Sequence, residues 1–188
     1  MITRQHQKGD AASAALYSSD LRYRYALTRV WAPGPRVLFV MLNPSTATEV
    51  QNDPTVERCE RRARALGFGG FAVANIFAFR ATDPRVMRAE PDPVGPANDA
   101  KILDLAASHH QIICAWGAHG AYLDRGAQIE ARLRSTGCQL YHLGLTLAGQ
   151  PRHPLYIGYD QAPLLWSQAV QAACSVTSAA VNPAPPST

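Results

Sequence analysis

Three side chains of this sequence have the chemistry to hold water, take a proton and meet a departing negative charge: Asn43, Asp53 and His153. A primary amide orients a water molecule or reads a ligand edge. A carboxylate accepts a proton. An imidazole held in one orientation donates to developing negative charge. His153 is restrained between Arg152 and Pro154. Each residue also has a plainer use. Asn43-Pro44 is a turn dipeptide with Ser45 and Thr46 as local caps. Asp53-Pro54 is a helix start, with Asp as N-cap and Pro in the first helical position.

A second group has the chemistry of ligand binding. Asn75 sits inside the apolar run Val73-Ala74-Asn75-Ile76-Phe77, where an amide must find a hydrogen-bond partner in backbone or ligand. Phe77 and Phe79 offer stacking faces or core packing. Arg80 can meet a phosphate or pair with Asp83. Trp116-Gly117-Ala118-His119-Gly120 ends another apolar run. Its glycines permit close backbone approach at a helix start, which favours an anion, and His119 is a ligand contact or a surface loop residue. The His109-His110 pair reads as a helix C-terminal cap.

The elements that must carry these residues follow from periodicity and turn chemistry. Residues 36–42, 71–77, 111–116 and 139–143 are apolar runs of strand length, and the candidate polar groups follow them. Helices are expected from Asp53-Pro54 to Gly67, with Val56, Cys59, Ala63 and Leu66 on the apolar face, and over residues 98–107, 121–135 and 161–174. Residues 78–97 carry four prolines and read as a long loop with one helical turn at Asp83-Pro84. Residues 21–27 alternate loosely, placing Arg22 and Arg24 on one face of an edge strand or hairpin arm. The expected organisation is a flexible N-terminus over 1–15, a single α/β domain over 16–174 and an Ala/Ser/Pro-rich disordered tail over 175–188. Alternation of strand and helix implies a three-layer α/β/α fold around a mainly parallel four-stranded sheet. In such sheets ligands bind beyond the carboxyl ends of the strands.

Composition limits the function classes. The 188 residues suffice for one self-supporting core. No apolar run approaches the ~20 residues that span a bilayer, and the polar N-terminus lacks a signal-peptide core, so a cytoplasmic protein with no membrane partner is expected. The formal charge of +4 rests almost wholly on arginine, since Lys8 and Lys101 are the sole lysines. This permits a nucleic-acid or nucleotide partner without requiring one, and a GC-rich genome would give the same bias. Cys59, Cys114, Cys138 and Cys174 form no C-x-x-C pair. They read as buried reduced thiols, with no metal and no cofactor expected.

The segments 41–47, 52–55, 75–84, 116–120 and 151–156 resemble a bacterial domain-of-unknown-function family, number sixteen forty-three in that series. More distantly, the order of motifs is similar to the uracil-DNA glycosylase superfamily. That resemblance implies a glycosylase-like fold in which Asn43-Pro44 positions the attacking water, Asn75 reads the base, Trp116-Gly117 ends the third strand and His153-Pro154 stabilises the leaving base. Met41 and Leu155 depart from its glycine and serine, and no duplex-penetrating sequence is recognisable. The expectation is hydrolysis of an N-glycosidic bond to a modified or damaged base, in DNA or a nucleoside. The catalytic residues would be Asn43, Asp53 and His153. Substrate contacts would come from Pro44, Ser45, Asn75, Phe77, Arg80, Trp116 and His119. The alternative is a non-catalytic nucleic-acid or nucleotide-binding module with the same pocket. A weaker one is another nucleotide-processing enzyme that uses residues 116–120 for phosphate.

Overall fold

The computed structural model describes residues 1–167. Eight strands form one sheet: β1 (Ile2–Lys8), β2 (Ala11–Tyr17), β3 (Arg24–Val30), β4 (Arg36–Met41), β5 (Gly70–Asn75), β6 (Gln111–Cys114), β7 (Leu140–His142) and β8 (Leu164–Leu165). Their order is β1-β2-β3-β5-β4-β6-β7-β8. The pairs β4–β5, β4–β6 and β6–β7 are parallel. The pairs β1–β2, β2–β3, β3–β5 and β7–β8 are antiparallel. The expected mainly parallel four-stranded sheet is therefore wrong. The sheet is mixed, twice as wide, and antiparallel in most of its pairings.

The error has a physical origin at the N-terminus. Residues 1–15 are not a flexible lead but two strands of a hairpin, paired from Ile2↔Tyr17 to Lys8↔Ala11. Every residue of β1 except Lys8 is exposed, so no apolar alternation marks it. In β2 the inward residues are largely alanine and serine, which carry little strand signal. The two-residue Gly9-Asp10 turn, with Gly9 at φ 59°, is the legible hairpin signal. Of the two readings of residues 21–27, β3 is the hairpin arm, antiparallel to β2, and not an edge strand. It lies between β2 and β5, which buries Arg24 and Arg29.

Among the described residues four α-helices complete the fold: α1 (Pro54–Ala65), α2 (Pro84–Ala89), α3 (Asn98–Ala107) and α4 (Arg125–Ser135). Asp53 caps α1, accepting from the Val56 N–H at 2.8 Å. Val56, Cys59 and Ala63 bury against Val37, Phe39, Met41, Phe71 and Val73 on one face of the sheet. On the other face Ile102 and Ala106 of α3, with Ile129 and Leu133 of α4, meet Leu38, Val40, Ala72 and Ala74. Burial pushes the Cys59 and Cys114 thiols up, as expected of inert core cysteines. His109 Nδ1 stands 2.6 Å from the Leu105 carbonyl at the end of α3.

Two helix expectations change. Residues 118–124 form a 3-10 segment kinked at Leu123 and Asp124, both at positive φ, before α4 begins. The helix expected over 161–174 is replaced at its start by β8, and its remainder, like the tail, lies outside the described residues. Among the described residues no helix is long and apolar enough to cross a membrane.

Candidate functional site

Because β4, β5, β6 and β7 run in parallel, their carboxyl ends share one edge of the sheet. β4 lies between β5 and β6, so the chain leaves it to one side and later returns to the other. Such a switch point opens a crevice at the strand ends. A pocket of about 560 Å³ lies there, within the usual range for small-molecule sites. Its walls come from the segments after all four parallel strands. Asn43, Ser45, Asp53, Trp116, His119 and His153 line it together.

Asn43 is fixed by its amino group, which donates to the Ala81 carbonyl at 2.7 Å and the Pro44 carbonyl at 3.1 Å. This assigns its Oδ1 as the free end. The Asp53 carboxylate has two backbone donors, Val56 N–H at 2.8 Å and Ala47 N–H at 3.3 Å. Each oxygen keeps acceptor capacity beyond that one bond.

His153 is strongly perturbed by its place in the pocket wall. Burial pulls its pKa from 6.5 to about 4, against the attraction of Asp53 and with the help of His119. The ring is therefore neutral at pH 7. Its Nδ1 accepts from the Leu155 N–H at 3.4 Å, which leaves the proton on Nε2. His153 is thus a neutral imidazole with one N–H to offer.

Trp116 is 1% exposed, and its indole N–H donates to Gln150 Oε1 at 2.8 Å. The Gly117 N–H donates to the Pro151 carbonyl at 2.7 Å, so β6 and the segment carrying His153 are bonded to each other. A Cβ on Gly120 would overlap the Trp116 ring. That glycine exists for packing, not for the close approach of an anion, which corrects the sequence reading. His119 is exposed, with Nδ1 3.0 Å from an Arg88 guanidinium nitrogen.

Four expected contacts lie elsewhere. Pro44 is buried and absent from the pocket wall. Asn75 pairs with Met41 inside the sheet and is 2% exposed, and its Nδ2 has no partner among the described residues. Phe77 packs in the core on the α3 and α4 face, its ring 5.8 Å from that of Tyr122. Arg80 donates to the Leu21 carbonyl at 3.0 Å and lies over the Tyr17 ring. Phe77 and Arg80 are claimed by the core and by the Leu21 carbonyl just beyond the end of β5, before the pocket wall begins at Ala81.

The pocket also has walls that the sequence reading missed. Arg24, Thr55, Thr82, Thr146, Arg152 and Tyr156 are among them. Arg24 and Arg29 further fasten the loop over residues 43–53 to the antiparallel strands. Arg24 donates to the Ala47 carbonyl. Arg29 donates to the Thr48 carbonyl at 2.6 Å, to Asn52 Oδ1 at 3.1 Å and to Ser13 Oγ at 2.7 Å. Tyr17 donates to Glu49 at 3.0 Å. Among the described residues no group of three or more His, Cys, Asp or Glu side chains is placed to hold a metal ion.

The model of the family described as "Protein of unknown function (DUF1643)" matches residues 24–155, and the chain belongs to that family. No curated protein and no solved structure matches it. The matched span begins at Arg24 and ends at Leu155, and so contains almost the whole pocket wall.

Proposed function

We propose that this member of the DUF1643 family is a hydrolase of N-glycosidic bonds, acting on a modified or damaged nucleobase in DNA or in a nucleoside. The observation that carries the reading is His153: a neutral ring, its Nδ1 occupied by a backbone N–H, in one pocket with Asn43 and Asp53. A neutral N–H donor suits a leaving base that departs as an anion. It strengthens its bond as charge develops and need not lose a proton.

The steps follow from that placement. The base enters the crevice, extruded from the strand if it belongs to DNA. The bond from the sugar anomeric carbon to the base nitrogen lengthens toward an oxocarbenium-like state. The electron pair of that bond leaves with the base, and His153 Nε2–H donates to it. Asn43 Oδ1 accepts from the attacking water, whose oxygen bonds to the anomeric carbon. Asp53 takes the water's proton, and the released base is protonated from solvent. The remote likeness to uracil-DNA glycosylases supports these roles for Asn43 and His153. It gives no support to Asn75 as the base reader, since Asn75 is outside the pocket wall.

A second reading has its own observation. Both oxygens of Asp53 and the amino group of Asn43 already serve the loop's backbone. That is what a non-catalytic nucleotide-binding module would need. Base release from a panel of modified oligonucleotides and nucleosides separates the two. Release by the wild type, abolished in Asn43→Ala and His153→Ala, supports the hydrolase. No release from any substrate, with binding retained, supports the binding module.

A further inference from the structure

Arg24 is 2% exposed, yet it stands in no ion pair among the described residues. One guanidinium nitrogen donates to the Ala47 carbonyl, and its Nε is buried with no partner. The same side chain lines the pocket. Burial lowers its pKa from 12.5 to about 10, which still leaves it charged at neutral pH. Asp53 and Tyr17 oppose that shift, while Arg29 and Arg80 add to it. A buried cation with an unused donor is costly unless something anionic meets it.

The pocket supplies the rest of an anion site. Arg152 also lines it, its Nε donating to the Leu145 carbonyl at 3.1 Å, against the single carboxylate of Asp53. Ser45, Thr55 and Thr82 also line it, and their hydroxyls make no hydrogen bond to protein among the described residues. Forked guanidinium donors together with hydroxyls match the oxygens of a phosphate.

We propose that the buried guanidinium of Arg24 seats a phosphate of the ligand, so that the molecule filling the pocket is a nucleotide unit and not a bare base or nucleoside. The choice of phosphate over carboxylate rests on the nucleobase reading above. The seat itself rests on Arg24, Arg152 and the free hydroxyls.

The test is calorimetric titration of the full chain with a nucleoside, its 5′-monophosphate and a short single-stranded oligonucleotide. NMR observation of the Arg24 Nε–H during titration with inorganic phosphate runs beside it. The 5′-monophosphate or the oligonucleotide should bind about 10- to 100-fold more tightly than the nucleoside, the worth of one hydrogen bond to a charged group. Arg24→Lys keeps the charge and a donor for Ala47. It should lose most of that gain. Inorganic phosphate should shift the Arg24 resonance in the wild type, a readout that survives even if the variant fails to fold.

Tighter binding of the oligonucleotide than of the monophosphate places the phosphate in a polymer, the reverse order places it in a free nucleotide, and both uphold the seat. Equal affinity for all three ligands overturns it. So does a phosphate gain undiminished in Arg24→Lys, or an Arg24 resonance that phosphate leaves unmoved. A phosphate gain without base release leaves the seat standing and removes the hydrolase. A shifted Arg24 resonance with no affinity for nucleoside, monophosphate or oligonucleotide also overturns the nucleotide assignment.

Discussion

The Asn43 side-chain amide donates to the Ala81 carbonyl at 2.7 Å, while the Ala81 N–H donates to the Pro44 carbonyl at 2.9 Å. The end of β4 and the segment after β5 are laced together at the pocket wall. One amide thus has two duties, bracing with its nitrogen and presenting its oxygen.

Asn43→Ala and Asn43→Asp separate those duties. Asn43→Ala removes the brace and should cost about 1–3 kcal/mol by leaving the Ala81 carbonyl without its donor. Asn43→Asp keeps an oxygen but turns an anion toward that carbonyl, and should destabilise at least as much. If Asn43 also holds the attacking water, base release per folded molecule falls at least tenfold in Asn43→Ala. Denaturant melts beside initial rates decide it. A rate unchanged per folded molecule would reduce Asn43 to a strut.

His153 gives a pH prediction with a definite sign. Its folded pKa of about 4 is below the ordinary 6.5. Above pH 6.5 the ring is neutral in both states and stability is unaffected. As pH falls from 6.5 toward 4, the unfolded chain takes up a proton that the folded ring refuses, and stability declines. The loss is complete below pH 4 and is at most about 3 kcal/mol. Acid melts of His153→Gln should show a smaller decline over that window than the wild type. A ring resonance titrating in the folded protein above pH 6 would sink the neutral-donor assignment.

Gly120→Ala tests the packing of the third strand end. The new Cβ would overlap the Trp116 indole, which is 1% exposed. Overpacking of this kind costs roughly 1–3 kcal/mol. The variant should melt lower, with altered tryptophan fluorescence. A melting temperature equal to the wild type's would show that the ring has room to move.

Arg29→Met tests whether the antiparallel strands hold the pocket loop. It strips donors from the Thr48 carbonyl, Asn52 Oδ1 and Ser13 Oγ. A loss of roughly 3 kcal/mol is expected from bonds to a buried charged group. Amide exchange should accelerate over residues 47–53 before it does in β4 or β5. Uniform acceleration across the sheet would mean that Arg29 supports the whole fold and not the loop.

The sequence alone went furthest where one segment's own pattern suffices. The apolar runs that became β4, β5, β6 and β7 were legible because strands buried on both faces read as continuous hydrophobic stretches. The start of α1 was legible because Asp53-Pro54 carries its own cap and its own fixed φ. The Gly9-Asp10 turn was equally local, yet its flanking strands were too exposed or too small-sided to stand out.

What remained was decided by partners distant in the chain. Arg24 read as a polar residue of an edge strand or hairpin arm, and Arg29, farther along β3, carried no reading. They are buried because β2 comes to one side of β3 and β5 to the other, while residues 47–52 close over them. Asn75 read as a base-reading amide, but at the end of β5 it is 2% exposed and does not line the pocket. The residue types at the pocket were fixed by the sequence, since an amide, a carboxylate or an imidazole needs no neighbour to have its chemistry. Which of them face one cavity, and which cation meets the ligand there, depended on the register of eight strands. That register is set by contacts between residues tens of positions apart, and the pattern within any one segment does not encode them.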